Sequence, residues 1–262
     1  MAKIVIDAGH GGDNLGASYN GRNEKDDNLK LALAVGGILE KDGYEVSYTR
    51  EEDIFDLPEE KVEKANKAGG DLFVSIHRNS GVTPDKYNGV QTLIYDESGK
   101  KVQLADKINK NLEGVGFNNI GISVRPDLVV LRDTNMPAVL VEVGFINSEK
   151  DNEIFDANFN EIAKQIASAI NDVVPPKTQS VFYVQTGLYK NLSKQSENSN
   201  VHRKSRENKL KEQLLALGYP VESDEYKEYK RVKAGPYSSL NEAAAVERRL
   251  RTDGFSTLII QE

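Results

Sequence analysis

Histidine and acidic side chains near the ends of short apolar runs are the first candidates for chemistry in this sequence of 262 residues. The chain has three histidines and no cysteine, which excludes disulfides, cysteine-ligated zinc, iron–sulfur clusters and a thiol nucleophile. His10 follows the apolar run 4–6, and His77 follows the run 72–76. His202 lies in a very polar segment, and we expect it to be an exposed bystander.

Two glutamates accompany these histidines. Glu142 lies near the end of the apolar run 138–143, and Glu24 precedes a segment with helical spacing of leucines. Ligands of open α/β sheets bind outside the carboxyl ends of the strands, where His10, His77 and Glu142 are all expected. Two imidazoles, a carboxylate and an open position for water suit a catalytic zinc ion. The sequence therefore predicts Zn²⁺ as cofactor.

Glu142 is unusual because branched apolar residues flank it on both sides. An ionised carboxylate buried there is costly unless it is paired. One interpretation is a structural glutamate held by an arginine such as Arg132. The other is a general base, whose pKa is raised by burial and partly lowered again by a nearby cation. Metal-assisted amide hydrolysis requires such a carboxylate beside the reacting water.

The glycines around His10 have a second interpretation, as a phosphate-binding loop. Read from Gly9, the pattern G-x-G-x-x-G fails because Asn14 occupies the last glycine position, and the stretch 11–18 lacks the P-loop lysine. Nucleotide binding is therefore the weaker interpretation. The flanking glycines are predicted to let the loop turn tightly beneath a metal ion.

Strand and helix signals alternate through the first two thirds of the chain. β-Branched or apolar runs predict strands, and apolar residues at helical spacing predict helices. The predicted strands are 3–6, 45–49, 72–76, 90–95, 128–131 and 138–143, and the predicted helices are 29–41, 58–68, about 102–112 and about 159–173. This alternation predicts an α/β domain with a mostly parallel sheet covered by helices on both faces.

A change in charge divides the chain. Residues 1–174 carry 19 Lys and Arg against 30 Asp and Glu, whereas residues 175–262 carry 15 against 11. Since Pro175 and Pro176 cannot continue a helix, we place a linker at 175–180 between a catalytic domain, 1–174, and a second domain, 181–262. The second domain repeats a strand–helix–strand pattern, which predicts a small ferredoxin-like α+β domain. Its excess of basic residues favours binding to a partner with a polyanionic surface.

Seven motifs run in order through the first domain: IVIDAGHGG at 4–12, EKDxNL at 24–29, VxYTR at 46–50, ANxA at 65–68, DLFVSIHxN at 71–79, VLR at 130–132 and PAVLVExGFIN at 137–147. Together they resemble the amidase_3-type, zinc-dependent N-acetylmuramoyl-L-alanine amidases. The resemblance implies that His10, Glu24 and His77 bind the metal, that Glu142 is the catalytic glutamate, and that Asn79 and Arg132 support the site. Two positions depart from the pattern, with Ala8 for a common proline and Lys61 for a frequent arginine.

The implied reaction is hydrolysis of the peptidoglycan amide between N-acetylmuramic acid and L-alanine, with Glu142 as general base and acid. Two alternatives remain, a catalytically silent wall-binding protein and a zinc peptidase that cuts stem peptides. About one helix fits between the predicted strands 90–95 and 128–131, so we expect an open site without the blocking helix that some relatives carry.

The second domain resembles the SPOR module, which is associated with binding peptide-free glycan strands. The segments 181–187 and 231–235 carry this resemblance, together with Tyr189 and Tyr237. Tyr183, Tyr189 and Tyr237 are candidates for stacking on sugar rings. The alternative interpretation is that these tyrosines fill the core of the domain.

The expected partners are the glycan strands and stem peptides of peptidoglycan, with no nucleic acid. No run approaches the ~18 apolar residues of a membrane-spanning helix, and the N-terminus lacks the features of a secretory signal. We therefore expect synthesis in the bacterial cytoplasm and action on the wall after release. Both a phage endolysin released through a holin and a sporulation autolysin fit this expectation.

Overall fold

The computed structural model describes residues 1–176, 181–190 and 197–262, apart from the side chains of 197–203 and 205. It divides into two compact units, Met1–Lys177 and Thr178–Glu262. Most of the predicted linker 175–180 and the side chain of His202 lie outside the described residues. Among the residues described, none of the helices is long and apolar enough to span a bilayer.

A six-stranded sheet forms the centre of the first unit. Its strands, in spatial order, are β4 (Glu45–Tyr48), β1 (Lys3–Ala8), β5 (Leu72–Asn79), β8 (Ala138–Phe145), β6 (Val90–Ile94) and β7 (Asn119–Val124). Neighbouring strands are parallel except for β6 and β8, which are antiparallel. A short hairpin of β2 (Ser18–Tyr19) and β3 (Arg22–Asn23) stands apart from this sheet. The predicted, mostly parallel sheet is confirmed.

Helices cover both faces of this sheet and create two apolar cores. One core lies under α1 (Glu24–Lys41), α3 (Lys100–Val115) and α6 (Phe159–Val173), and the other under α2 (Pro58–Ala68) and α4 (Val129–Arg132). A further helix, α5 (Glu149–Ala157), follows β8. In β1, Ile4 and Ile6 enter the first core while Val5 enters the second. Burial on both faces explains the near-continuous apolar runs of these strands.

The predicted strand at 128–131 is wrong, because Val129–Arg132 form the single-turn helix α4. A run of four apolar residues has no periodicity that separates a strand from a helix. Val130 and Leu131 are instead buried beside α2, in the second core. The edge strand β7 and the helix α5 are absent from the prediction, and the central Gly121 of β7 weakens its strand signal.

The second unit has two helices and a four-stranded antiparallel sheet. Its elements are β9 (Phe182–Lys190), α7 (Glu197–Ala216), β10 (Val221–Tyr226), β11 (Tyr229–Tyr237), α8 (Leu240–Thr252) and β12 (Leu258–Gln261). The spatial order of the strands is β10-β11-β9-β12. Val184, Leu214 and Leu250 are buried in one core, where both helices pack on the same face of the sheet. This is the predicted ferredoxin-like arrangement.

The tyrosines of the second unit are mostly inside it. Tyr237 is 7% exposed and belongs to the core, and Tyr189 packs against the same core. Tyr183 is 9% exposed, and the Lys233 ammonium lies 3.8 Å from the centre of its ring. The burial of Tyr183 and Tyr237 favours the alternative that these two rings fill the core, whereas Tyr189 is only partly buried and its stacking on sugars stays a prediction. Tyr226, which the sequence analysis missed, is 46% exposed.

Candidate active site

The carboxyl ends of β1, β5 and β8 meet at one edge of the first sheet. His10 follows β1, His77 lies near the end of β5, and Glu142 lies near the end of β8. Glu24 is the first residue of α1, which packs against β1 and β5. His77 and Glu142 are Cα partners in the parallel ladder. The fold thus brings the four residues singled out in the sequence to the same edge.

His10, Glu24 and His77 form a compact donor cluster whose ligand atoms all lie within 4.8 Å of one another. Glu24 Oε2 is 3.2 Å from His10 Nε2, and Glu24 Oε1 is 2.9 Å from His77 Nδ1. Ligand atoms around a tetrahedral zinc ion with bonds near 2.1 Å lie about 3.4 Å apart. Both the chemistry and the spacing of this donor set therefore fit zinc.

Three N–H groups hold the Glu24 carboxylate in place. The Ala17 amide donates to Oε2 at 2.9 Å, and the Arg78 amide and Asn28 Nδ2 each donate to Oε1 at 3.2 Å. Burial raises the pKa of Glu24, but hydrogen bonds from His10 and His77 outweigh it, so the pKa lies well below its ordinary value. The carboxylate is therefore ionised and oriented, as binding a cation requires.

Asn14 sets the orientation of the His10 ring. Its Oδ1 lies 3.0 Å from His10 Nδ1 and also accepts a bond from the Gly16 amide. Since an amide oxygen only accepts, His10 Nδ1 donates to Asn14, and this bond orients the ring with Nε2 toward Glu24. In the sequence, Asn14 stands out only as the residue that breaks a glycine pattern, and nothing there indicates its position beside the histidine ring.

Two glycines permit the close packing of this cluster. A Cβ on Gly9 would lie 2.3 Å from the His77 ring. A Cβ on Gly16, which has a φ of +68°, would lie 2.6 Å from Glu24 Oε2. Any larger residue at either position would displace a donor of the cluster.

Glu142 is a partly buried carboxyl beside this cluster. Its Oε2 is buried and has no hydrogen-bond partner among the residues that the structure describes. Burial is the main cause that raises the pKa of Glu142 to about 7; the charge of Glu24 adds to it, while His77 and Arg125 oppose it. A carboxyl group with an unpaired oxygen and a near-neutral pKa suits a general base.

Among the described residues, neither Arg132 nor Asn79 has a hydrogen bond or ion pair with the donor cluster. Arg132 Nε pairs with Asp133 Oδ1 at 2.8 Å, and within the described part of the chain no ion pair joins it to Glu142. The interpretation of Glu142 as a glutamate held by Arg132 is therefore wrong, and the arginine whose charge helps to lower the pKa of Glu142 is Arg125. Asn79 Oδ1 accepts a bond from the Ser80 amide.

A cavity of about 270 Å³ opens beside the two histidines. Its lining includes His10 and His77 on one side and Pro58, Leu128 and Leu140 on the other. The cavity thus joins the donor cluster to a mostly apolar wall, which leaves room for a substrate next to the cluster.

The segment that contains these residues matches a known protein family. The Amidase_3 family, described as N-acetylmuramoyl-L-alanine amidase, matches residues 4–172, which is more than half of the chain. The chain belongs to this family. It is a peptidoglycan amidase that hydrolyses the bond between N-acetylmuramic acid and L-alanine.

Individual relatives agree with the family assignment. The endolysin of Bacillus phage SPP1 is 38% identical over 189 residues, covering 69% of this chain and 69% of the endolysin. The sporulation-specific N-acetylmuramoyl-L-alanine amidase of Bacillus subtilis strain 168 is 33% identical over 199 residues, covering 72% of this chain and 76% of that protein. The catalytic domain of the amidase CwlV from Bacillus (Paenibacillus) polymyxa var. colistinus superposes with a TM-score of 0.62 and 35% identity, covering 68% of this chain and 100% of that domain.

This amidase has Lys61 where the family resemblance led us to expect arginine, yet an ion pair forms there. Lys61 Nζ lies 2.8 Å from Asp7 Oδ1 and also donates to the Ala8 carbonyl, directly before the His10 loop. The hydroxyls of Thr49 and Ser75 donate to the same carboxylate. Burial raises the pKa of Asp7, but Lys61 and these hydrogen bonds outweigh it and hold the pKa below its ordinary value.

Proposed function

We propose that this amidase works with one zinc ion held by His10, Glu24 and His77, and with Glu142 as its general base and acid. The observation that carries the proposal is the cluster of three donors with a carboxyl of raised pKa on the neighbouring strand. Bound zinc would supply Lewis acidity, lowering the pKa of a water molecule to ~7 and polarising the scissile carbonyl.

Glu142 carries out both proton transfers of the reaction. Its carboxylate accepts a proton from the attacking water while the water oxygen bonds to the lactyl carbonyl carbon. The same carboxyl then donates that proton to the nitrogen of L-alanine as the C–N bond breaks. The products are a lactyl carboxylate on N-acetylmuramic acid and a stem peptide with a free L-alanine amino group.

Digestion of purified sacculi, with and without a chelator, tests this proposal. We expect zinc-dependent release of stem peptides whose new amino groups belong to L-alanine. New amino groups at D-amino acids or cross-bridges would instead indicate a zinc peptidase. No release by the zinc-loaded protein would indicate a catalytically silent wall-binding protein.

We propose further that residues 1–174 are the catalytic domain, 175–180 a linker and 181–262 a SPOR-like wall-binding domain. The ferredoxin-like strand order and the excess of basic residues support this. The sheet face opposite α7 and α8 carries Arg231, whose guanidinium lies 4.7 Å from the centre of the exposed Tyr226 ring. Since Arg231 is paired with Asp224 and Glu262, the exposed Tyr226 ring offers a stacking surface for a glycan rather than a free charge.

Cosedimentation of the full chain with sacculi tests the role of the second domain. The inactive Glu142→Gln background prevents digestion during the assay. We expect Tyr226→Ala to weaken binding, most clearly to glycan freed of stem peptides. Leu240→Ala, which removes a similarly exposed side chain from α8, is the matched control and should bind normally.

The proposed setting is lysis of the producing cell, as a phage endolysin released through a holin or as a sporulation autolysin. Relatives named as an endolysin and as a sporulation-specific amidase support both settings equally. A holin gene beside the coding sequence indicates the first setting, and a sporulation promoter indicates the second.

A further inference from the structure

Arg50 lies beneath the loop that carries His10 and is 3% exposed. Its guanidinium donates four hydrogen bonds, all to backbone carbonyl oxygens. Nε donates to Ala8 at 3.0 Å, and Nη1 donates to Glu52 at 3.1 Å. Nη2 donates to both Gly9 and Lys25, each at 2.9 Å.

Two of these carbonyls adjoin residues of the donor cluster. Gly9 directly precedes His10, and Lys25 directly follows Glu24. One guanidinium therefore joins the end of β1 to the first turn of α1. Because its N–H donors have a fixed planar geometry, it holds these two backbone segments at a defined separation.

The cation at this position lacks a direct counter-charge. Within the described residues, no carboxylate lies at ion-pair distance from Arg50; burial lowers its pKa below the ordinary value, although the more distant charges of Asp7 and Asp53 oppose this. The neighbouring buried arginine, Arg78, is by contrast paired with Asp27. A buried charge without a paired carboxylate is costly, and an apolar side chain would fill the same space without that cost.

The loop that Arg50 holds has an unfavourable backbone conformation. His10 has a φ of 61°, in the left-handed region that non-glycine residues rarely adopt. Such conformations persist where surrounding contacts over-determine them. The hydrogen bonds to the Ala8 and Gly9 carbonyls, immediately before His10, are contacts of this kind.

We infer that Arg50 is a positioning residue of the metal site. By holding the Gly9 and Lys25 carbonyls it sets the separation of His10 and Glu24, and through that separation the affinity for zinc. The inference rests on the proposed function, because it takes zinc as the ion that the cluster binds.

Competition with a chromophoric chelator measures the zinc affinity of the full chain and tests this inference. We expect Arg50→Gln to bind zinc at least ~10-fold more weakly than the parent. Mutating residues that orient metal ligands usually lowers metal affinity by ~10–100-fold. Arg50→Lys, which keeps the charge but not the planar donors, should fall between this variant and the parent. The visible spectrum of the cobalt-substituted chain should change in the same order.

Asn109→Ala is the control for a general loss of stability. Asn109 is 1% exposed and bonds Thr92 of β6 and the Gly121 carbonyl of β7, at the opposite edge of the sheet from β4 and β1. The Asn109→Ala variant should have a lower free energy of unfolding in urea, yet its zinc affinity should stay within about twofold of that of the parent. If Arg50→Gln does not fold, Arg50→Lys decides the question.

Parent-like zinc affinity in the folded Arg50 variants, or an equal loss in Asn109→Ala, overturns the positioning role and leaves the proposed function intact. A parent chain that binds no zinc overturns both.

Discussion

His77 and Glu142 are Cα partners on the adjacent parallel strands β5 and β8. Residues paired in this way point to the same face of a sheet, so the imidazole and the carboxyl leave the backbone side by side. The proposed metal ligand His77 and the proposed base Glu142 are therefore held by the sheet itself and not by a loop. Sites built on strands hold their geometry more precisely than sites on loops.

Removal of the metal should abolish hydrolysis. Treatment with a chelator is expected to reduce dye release from labelled sacculi to background, and one equivalent of Zn²⁺ per chain should restore it. Mg²⁺ and Ca²⁺ should not restore it, because they prefer all-oxygen ligand sets over imidazoles. Full activity in the chelated protein would contradict a metal-dependent mechanism.

The pH profile should have an acidic limb set by Glu142. The base acts when ionised, so kcat/KM should fall about tenfold per pH unit below its pKa. That pKa is about 7 without a metal, and a bound cation lowers it, so the limb is expected at or below pH 7.

Arg125 provides a test of this assignment, since its positive charge lowers the pKa of Glu142. Arg125→Gln should move the acidic limb to higher pH. A limb that stays in place or moves to lower pH would assign it to another group.

The buried Asp7–Lys61 pair should stabilise the fold. Asp7→Asn leaves the Lys61 ammonium buried without an opposite charge, which is expected to lower the free energy of unfolding by about 3–5 kcal/mol. Urea unfolding measures this loss. Lys61→Arg keeps a cation beside Asp7 and should cost much less.

The same pair has a defined dependence on pH. The pKa of Asp7 is lower in the folded chain than its unfolded value of ~3.9, so its contribution is present above that pH and is lost as the pH falls through the folded pKa. The stability difference between the parent and Asp7→Asn should therefore shrink in acid. A constant difference down to strongly acidic pH would argue against the ion pair as its cause.

Asn14 should tune the affinity for zinc through His10. Asn14→Ala removes the acceptor for His10 Nδ1 and is expected to weaken zinc binding by ~10–100-fold, measured by chelator competition. Asn14→Asp keeps an acceptor oxygen and should retain most of the affinity. Equal binding by Asn14→Ala and the parent would show that the ring orientation is set elsewhere.

The sequence predicts the site residues that lie at the ends of strands. His10, His77 and Glu142 are recognisable because each ends an apolar run, and parallel strands bring such ends together. The ligand role of Glu24 comes only from the family resemblance. Helix α4 was mistaken for a strand because its burial depends on α2 and not on its own pattern.

Contacts that span long stretches of chain are not visible in the sequence. Arg50 lies 41 residues from Gly9, and only the folded sheet places the end of β4 beneath the loop after β1. Likewise, the arginine whose charge helps to lower the pKa of Glu142 is Arg125, and not Arg132 as suggested from the sequence.

The rate of peptidoglycan hydrolysis by zinc-loaded Glu142→Gln tests the central claim most directly. Glutamine has nearly the same shape but cannot accept the proton from water. We expect the variant to bind one zinc ion per chain and to cleave sacculi at least ~100-fold more slowly than the parent. Parental turnover by this variant would contradict the assignment of Glu142 as the base.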